Sequence, residues 1–191
     1  MAVTWEALEQ ACLNCNRCRL HETRTNVVIG KGNPCAPILF VGEGPGRQED
    51  EQGLPFVGQA GKLLDLTLTG LGYTQEDYYI ANVVKCRPPE NRTPFEDECK
   101  ACLPFLRGQF TLIQPKIVVC MGNVALTYLL SSEARITKIR GTWTERNGVL
   151  FTATYHPAAL LRDESKKLDF WQDLKAVKQK LTELQKEGMT E

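Results

Sequence analysis

Four apolar, strand-like runs separated by segments of helical spacing constrain the fold of this 191-residue chain. The runs extend from Ile38 to Val41, Tyr78 to Val84, Lys116 to Met121 and Val149 to Tyr155. Strands that alternate with helices imply a mainly parallel sheet, and near-continuous apolar runs are typical of strands buried on both faces. The sequence therefore predicts a three-layer α/β/α sandwich with a central, mainly parallel four-stranded sheet, in a single domain over residues 1–191.

The helical segments carry recognisable start and stop signals. Thr4 is the expected N-cap of the first helix, and Thr93 is the expected N-cap of a later helix with Pro94 in its first turn. Helical spacing predicts further helices over 59–71 and 123–130 and from about residue 170. A short strand is expected around Trp143, and the chain after about Lys186 is expected to be frayed.

Charge and hydropathy exclude a membrane protein. No apolar stretch approaches the roughly 20 residues that span a bilayer, and the N-terminus lacks the pattern of a signal peptide. We therefore expect a cytoplasmic monomer without a membrane partner. The formal net charge of zero does not indicate a nucleic-acid partner. A local basic stripe can nevertheless bind phosphates, and Lys85, Arg87 and Arg92 in one loop are candidates for such a stripe.

Two loops that follow strand-like runs carry the candidate chemistry. The first is the glycine-rich segment 42–50, with Glu43 in it, and the second is the segment 155–159, with His156 in it. Ligands of open α/β sheets bind outside the carboxyl ends of the strands, so these loops predict one shared pocket. The glycine-rich segment alone does not exclude a plain phosphate-binding loop.

Eight cysteines in such a chain indicate metal or redox chemistry rather than disulfides. Two C-x-x-C pairs, at residues 15–18 and 99–102, could by themselves form a four-cysteine zinc site. Free cysteines usually behave as small apolar residues, and this is the expectation for Cys12, Cys35 and Cys120.

Taken together, the motifs resemble those of the iron–sulfur uracil-DNA glycosylases, the family-4 branch of the uracil-DNA glycosylase superfamily. The resemblance extends from about Cys15 to Trp171 and includes segments 42–50, 53–58, 82–89 and 156–159. It implies a monofunctional DNA glycosylase that hydrolyses the N-glycosidic bond of uracil in DNA, leaving an abasic site for base excision repair of deaminated cytosine. Two alternatives stay open: a non-catalytic iron–sulfur module that binds DNA, and a glycosylase for another deaminated base.

The resemblance also implies a cofactor. It selects four thiolates to hold a [4Fe–4S] cluster: Cys15, Cys18, Cys86 and Cys102. Cys99 is the nearest competitor for the last of these positions. The expected role of the cluster is structural, since it would tie the N-terminal arm to the loop and helix after Asn82.

The same resemblance assigns roles in the pocket. His156 is expected to bond the O2 side of uracil as charge develops there, and Glu43 to hold the attacking water. Phe56 is expected to stack on the extruded base, although a Phe between Pro and Val is more often a core residue. The Asn82 amide is expected to select uracil over cytosine, although an isolated Asn is equally a turn former.

The remaining site residues are expected to support the base or to bind DNA. Gly42 and Gly44 would let the backbone approach the ligand closely. The residues expected to shape the pocket are Asn91 and Glu49, and the second of these would exclude the methyl group of thymine. Three residues are expected to contact DNA. Leu160, alone or together with Leu161, is expected to act as a wedge in the base stack, and Arg162 and Arg92 are expected to be basic contacts.

Overall fold

The computed structural model describes residues 4–187. The part of the predicted frayed end from residue 188 on lies outside the described residues. The strands are β1 (Lys31–Gly32), β2 (Ile38–Gly42), β3 (Tyr78–Asn82), β4 (Ile117–Met121), β5 (Thr144–Arg146) and β6 (Val149–Thr154). The α-helices are α1 (Trp5–Leu13), α2 (Arg47–Gln52), α3 (Gln59–Gly70), α4 (Glu96–Ile113), α5 (Asn123–Leu129), α6 (Ile136–Ile139), α7 (Pro157–Arg162) and α8 (Lys167–Glu187).

The strands form one mixed sheet in the order β1-β3-β2-β4-β6-β5. The four predicted strands are its parallel centre, which confirms the predicted fold class. The predicted number of strands is wrong, because β1 and β5 add antiparallel edges to β3 and β6. β1 has only two residues and no apolar pattern, whereas β5 lies next to the expected strand around Trp143.

Both faces of the sheet centre are covered. Every residue of β2 and of β4 is buried, and successive side chains of a strand point to opposite faces. The last helix contributes a buried stripe at the predicted helical spacing: Phe170, Leu174, Val177 and Leu181. This helix begins at Lys167, three residues before the predicted start, and it is tied to the core by a 2.6 Å bond from the Tyr73 hydroxyl to the Leu174 carbonyl.

The predicted N-cap residue is confirmed at Thr4 and is wrong at Thr93. The Thr4 hydroxyl accepts a hydrogen bond from the Ala7 amide at 3.2 Å, as expected of an N-cap. Helix α4, however, begins at Glu96 rather than after Thr93. Its first turn is closed by Glu98, whose carboxylate accepts from the Phe95 amide at 2.7 Å.

The parallel register brings the ends of the central strands to one edge of the sheet. Gly42 of β2 pairs with Asn82 of β3, and Met121 of β4 pairs with Thr154 of β6. The chain leaves β2 towards β3 on one side and returns to β4 on the other, which creates the crevice where open α/β sheets bind ligands. Within residues 4–187, no helix is long and apolar enough to cross a membrane.

Candidate active site

A cavity of about 370 Å³ lies at this edge of the sheet. Its lining includes nine of the sequence-predicted residues: Glu43, Gly44, Glu49, Phe56, Asn82, Asn91, Arg92, His156 and Arg162. The volume lies in the range of small-molecule sites, so a single extruded base fits it by size. Two predicted residues, Gly42 and Leu160, are not in the lining.

Gly42 lies directly behind two of the lining side chains. A Cβ atom at this position would stand 2.5 Å from Asn82 Oδ1 and 2.8 Å from Phe56 Cζ. Gly44 is close to the neighbouring strand end instead, since a Cβ there would stand 2.6 Å from Val84 Cγ2. Gly42 therefore makes room for the pocket side chains, a role that differs from the expected close contact with the ligand.

Asn82 ends β3 and presents an amide to the cavity from a buried position. The residue is 2% exposed. Among the residues that the structure describes, Asn82 Oδ1 and His156 Nε2 are the buried side-chain polar atoms without a hydrogen-bond partner. An unpaired buried polar atom costs about 1–3 kcal/mol, so native proteins keep few of them. Asn82 Oδ1 is thus an acceptor available to a ligand.

His156 presents the matching donor. Its Nδ1 accepts the Ala158 amide at 3.2 Å, which assigns the ring proton to Nε2 in the neutral form. Burial, with a smaller contribution from Arg162, lowers the pKa of His156 to about 4. The ring is therefore neutral at pH 7 and carries an N–H donor at the buried edge. Gly122 follows β4 with a φ of +90°, and because it has no side chain its backbone can lie against the His156 side chain.

Phe56 forms a wall of the cavity next to His156. The two ring centroids are 5.8 Å apart at an interplanar angle of 33°. Phe56 has a φ of +53°, a conformation that a bulky residue adopts only where its surroundings hold it. Glu49 provides that support, because its Oε1 accepts the amides of Val57 at 2.9 Å and Gly58 at 2.7 Å.

Glu43 lies one residue beyond β2, half-buried in the cavity wall. Burial raises the pKa of Glu43 above its ordinary value, while Arg162 and the Thr93 hydroxyl favour the charged form. Arg162 helps to keep Glu43 ionised, and a partly desolvated carboxylate is suited to stabilise a positive charge that develops nearby. The carboxylate and His156 line the same cavity.

The loop before α4 is held in place by Glu98, a residue that the sequence analysis did not single out. Arg92 donates to both oxygens of the fully buried Glu98, at 2.8 and 2.6 Å, and its guanidinium stacks 3.8 Å from the Phe95 ring centroid. Arg92 therefore anchors the loop, a role that competes with the expected phosphate contact. Asn91 supports the same loop by accepting from Arg87 Nε at 2.7 Å.

The expectation that Leu160 is the wedge is wrong, because its side chain does not reach solvent. Leu160 is 1% exposed and packs in the core, whereas its neighbour Leu161 is 47% exposed. The two lie in α7, one residue apart, and therefore on different faces of the helix. Arg162 follows in the same helix, is exposed, and lines the cavity.

The four predicted cluster ligands line a second pocket. Its walls contain Cys15, Cys18, Cys86 and Cys102, together with Cys12. The C-x-x-C pair forms the loop after α1, Cys86 lies just beyond β3, and Cys102 lies in α4. All eight cysteines are free thiols. The three segments that a cluster was expected to link therefore meet at this pocket.

The surroundings of these thiols suit metal-bound thiolates. Arg24 Nη1 donates to Cys86 Sγ at 3.2 Å, and the Lys85 amide donates to Cys102 Sγ at 3.3 Å. Such hydrogen bonds to sulfur stabilise cluster thiolates. Residues 4–187 contain no group of three or more His, Cys, Asp or Glu side chains arranged to hold a metal ion. Cysteines that share a cluster would each bind a separate iron, so they would not need to form a group of this kind.

Cys99, the competing ligand, lies outside this pocket. It is fully buried elsewhere in α4, near the Tyr128 hydroxyl, so the pairing of segments 15–18 and 99–102 in a zinc site is not supported. Cys12 is buried and Cys120 lies in β4, as expected of small apolar residues. The same expectation is wrong for Cys35, which is exposed.

Comparison with known proteins places the chain in a family. Residues 29–175 match the model of the Uracil DNA glycosylase superfamily, and the chain belongs to this superfamily. Within it, the chain is similar to type-4 uracil-DNA glycosylases, which confirms the resemblance to the family-4 branch. The relative from Thermotoga maritima is 46% identical over 85% of this chain and 86% of its own length. Those from Sulfurisphaera tokodaii and Archaeoglobus fulgidus are 42% and 41% identical, over 91% and 86% of this chain and 83% and 87% of their own lengths.

Proposed function

We propose that this protein is a monofunctional uracil-DNA glycosylase that hydrolyses the bond between uracil and deoxyribose in DNA. The observation that carries this proposal is the pair of buried, unpaired atoms in one cavity, the acceptor Asn82 Oδ1 and the donor His156 Nε2. Uracil offers a complementary N3–H donor and O2 acceptor. The names of the type-4 relatives support the same activity.

Recognition of the base rests on Asn82 and Phe56. Asn82 Oδ1 accepts from uracil N3–H while the amide nitrogen donates to O4, and Phe56 stacks on the ring. Cytosine presents a lone pair at N3 and an amine at C4, so it would leave the buried amide unpaired. A site built to hydrogen-bond one base rejects an analogue that cannot pair by about 10⁴-fold or more.

Cleavage of the glycosidic bond uses two residues that stabilise opposite charges, His156 on the base and Glu43 on the sugar. As the glycosidic bond breaks, its electron pair stays with the base, and the neutral His156 donates from Nε2 to the O2 atom that becomes negative. Glu43 stabilises the positive charge on the sugar and accepts a proton from the water that bonds to C1′. The uracil anion takes up a proton on release, and the DNA keeps an abasic sugar.

The surroundings of the cavity support a DNA substrate and a hydrolytic reaction. Arg162, which is exposed at the cavity, would bind a phosphate, and the exposed Leu161 would fill the gap left by the extruded nucleotide. The residues that line the cavity within the described chain include no lysine. We therefore propose that the enzyme forms no Schiff base and leaves the strand uncut. We also propose that it acts as a cytoplasmic monomer.

Cys15, Cys18, Cys86 and Cys102 are the residues that we propose to hold a [4Fe–4S] cluster. Burial raises the pKa of Cys102 to about 12, and a bound metal would stabilise the thiolate form that a ligand needs. The cluster would supply a covalent link among the N-terminal arm, the segment after β3 and α4. This link would hold Asn82 and the loop that contains Arg92 in place.

The test is a cleavage assay on oligonucleotides that differ at one base: uracil, thymine, cytosine or hypoxanthine. Alkali after incubation breaks the strand wherever an abasic site has formed. We expect a break at uracil alone. A break at hypoxanthine alone would move the proposal to another deaminated base. No break, from protein that retains its iron, would leave a non-catalytic DNA-binding module.

A further inference from the structure

Lys85 is a fully buried charged residue that the proposed mechanism does not use. It is 1% exposed, although the sequence suggested a surface basic stripe. Its Nζ donates to the Asn82 carbonyl at 2.8 Å and to Gln109 Oε1 at 2.6 Å. A buried charge is costly unless it is hydrogen-bonded, so these two contacts account for its position.

Gln109 extends this contact to two further parts of the fold. It is fully buried in α4, and its Nε2 donates to the Ile29 carbonyl at 2.9 Å. The Lys85 amide donates to Cys102 Sγ, also in α4. The Lys85 side chain therefore joins the end of β3 to α4, and Gln109 joins α4 to the segment before β1.

The backbone around Asn82 shows why this contact matters. On one side, the amides of Val83 and Val84 donate to the carbonyls of Gly42 and Glu43 at 3.0 and 3.1 Å. On the other side, β1 pairs only with Tyr79 and Ile80, so it ends before Asn82. The Asn82 carbonyl receives its hydrogen bond from the Lys85 amine instead, in place of a neighbouring strand.

We propose that Lys85 is a positioning residue that orients Asn82 for base recognition, with Gln109 holding the amine. The inference rests on the proposed role of Asn82 in binding uracil. Lys85 lines the pocket of the cysteines and not the active-site cavity, so its path to the base is its bond to the backbone of Asn82. A small displacement of a recognition group is enough to slow a reaction about 100-fold.

The test is a double-mutant cycle with Lys85→Met and Asn82→Ala, measured as kcat and KM on a uracil oligonucleotide. If Lys85 acts through Asn82, Lys85→Met lowers kcat/KM about 10- to 100-fold, and the double variant is no slower than Asn82→Ala. The matched control is Tyr73→Phe, which removes another buried bond to a carbonyl, that of Leu174, away from the cavity. It should leave kcat/KM unchanged.

Additive losses in the cycle, or a wild-type rate for Lys85→Met, would overturn the inference while leaving the proposed function intact. A wild-type rate for Asn82→Ala would overturn both the recognition role of Asn82 and this inference. Iron per chain is measured alongside, because Lys85 neighbours Cys86. A loss of activity that follows the loss of iron would show that Lys85 acts on the cluster, and would also overturn it.

A second variant keeps the test decisive if Lys85→Met does not fold. Gln109→Leu removes the other acceptor of the amine but leaves its bond to Asn82. We expect a loss in kcat/KM smaller than tenfold that disappears when Asn82→Ala is also present. A loss that persists in the Asn82→Ala background would contradict the inference.

Discussion

Gly42 and Asn82 pair across β2 and β3 so closely that a Cβ atom at residue 42 would lie 2.5 Å from Asn82 Oδ1. The same atom would lie 2.8 Å from Phe56 Cζ. Real Cβ atoms do not approach other atoms so closely, so a side chain at residue 42 must displace the amide or the ring. The glycine therefore sets the position of two groups that we assign to base recognition.

The first prediction follows from this crowding. Gly42→Ala should lower kcat/KM for uracil excision about 100-fold, because it displaces recognition groups by a fraction of an ångström to an ångström. Gly70→Ala is the matched control, since a Cβ there meets no atom within 4 Å. Equal activity of the two variants, both folded, would show that the position of Asn82 and Phe56 is not critical.

The pH dependence of activity should follow Glu43 and not His156. The pKa of Glu43 is raised by burial, so kcat/KM falls on the acid side as the carboxylate takes up a proton. His156, with a pKa of about 4, stays neutral through the range where an ordinary histidine titrates. Glu43→Gln should abolish the acid limb of the residual activity, and His156→Gln should keep it. An acid limb that remains in Glu43→Gln and disappears in His156→Gln would show that His156, and not Glu43, sets the pH dependence.

His156 also makes stability depend on pH. Its pKa falls from 6.5 in the unfolded chain to about 4 in the folded one, so the unfolded state binds more protons between these values. Stability therefore rises with pH across this window and is lost as pH falls through it. The free energy of unfolding, measured with denaturant at pH 5 and pH 7, should differ less in His156→Gln than in the wild type. An equal difference would contradict the low pKa.

The two adjacent leucines of α7 should separate stability from DNA binding. Leu160→Ala removes a buried side chain and should lower the free energy of unfolding by about 2–5 kcal/mol. Leu161→Ala should leave stability unchanged and slow uracil excision in duplex DNA more than in a single strand, where less stacking opposes extrusion. The exposed Leu168 provides the control for Leu161. Equal effects at Leu161 and Leu168 would rule out the wedge.

Substitution of cysteines should identify the cluster ligands. Cys86→Ser should lose bound iron and its brown absorbance, because it removes a thiolate of the pocket. Cys99→Ser should retain both, since Cys99 lies outside that pocket and near Tyr128. Iron per chain is the measurement. Retention of iron in Cys86→Ser with loss in Cys99→Ser would reverse the assignment of these two residues.

The sequence predicted the centre of the fold because burial on both faces leaves continuous apolar runs. β2 and β4 have such runs, and the loops after them lie where parallel strands place ligand sites. β1 was not predicted, since two residues, Lys31 and Gly32, carry no strand pattern. Edge pairing of this kind depends on the neighbouring strand rather than on local preference.

The residues of the site were predictable where a motif marks them and unpredictable where burial decides. Glu43, Asn82 and His156 follow strand-like runs and line the cavity as expected. Lys85 was expected in a surface basic stripe, because lysines are seldom buried. Which leucine of α7 faces the core depends on the angle at which the helix packs, and the local sequence does not encode that angle.

The most direct test of the account is the single-turnover rate of uracil excision by the wild type, His156→Ala and Asn82→Ala. If the two unpaired atoms bind the base, each variant should be slower by about 100-fold or more while its iron content is unchanged. The wild type should leave a thymine-containing strand intact. Wild-type rates in both variants would contradict the central claim that this cavity is the uracil site.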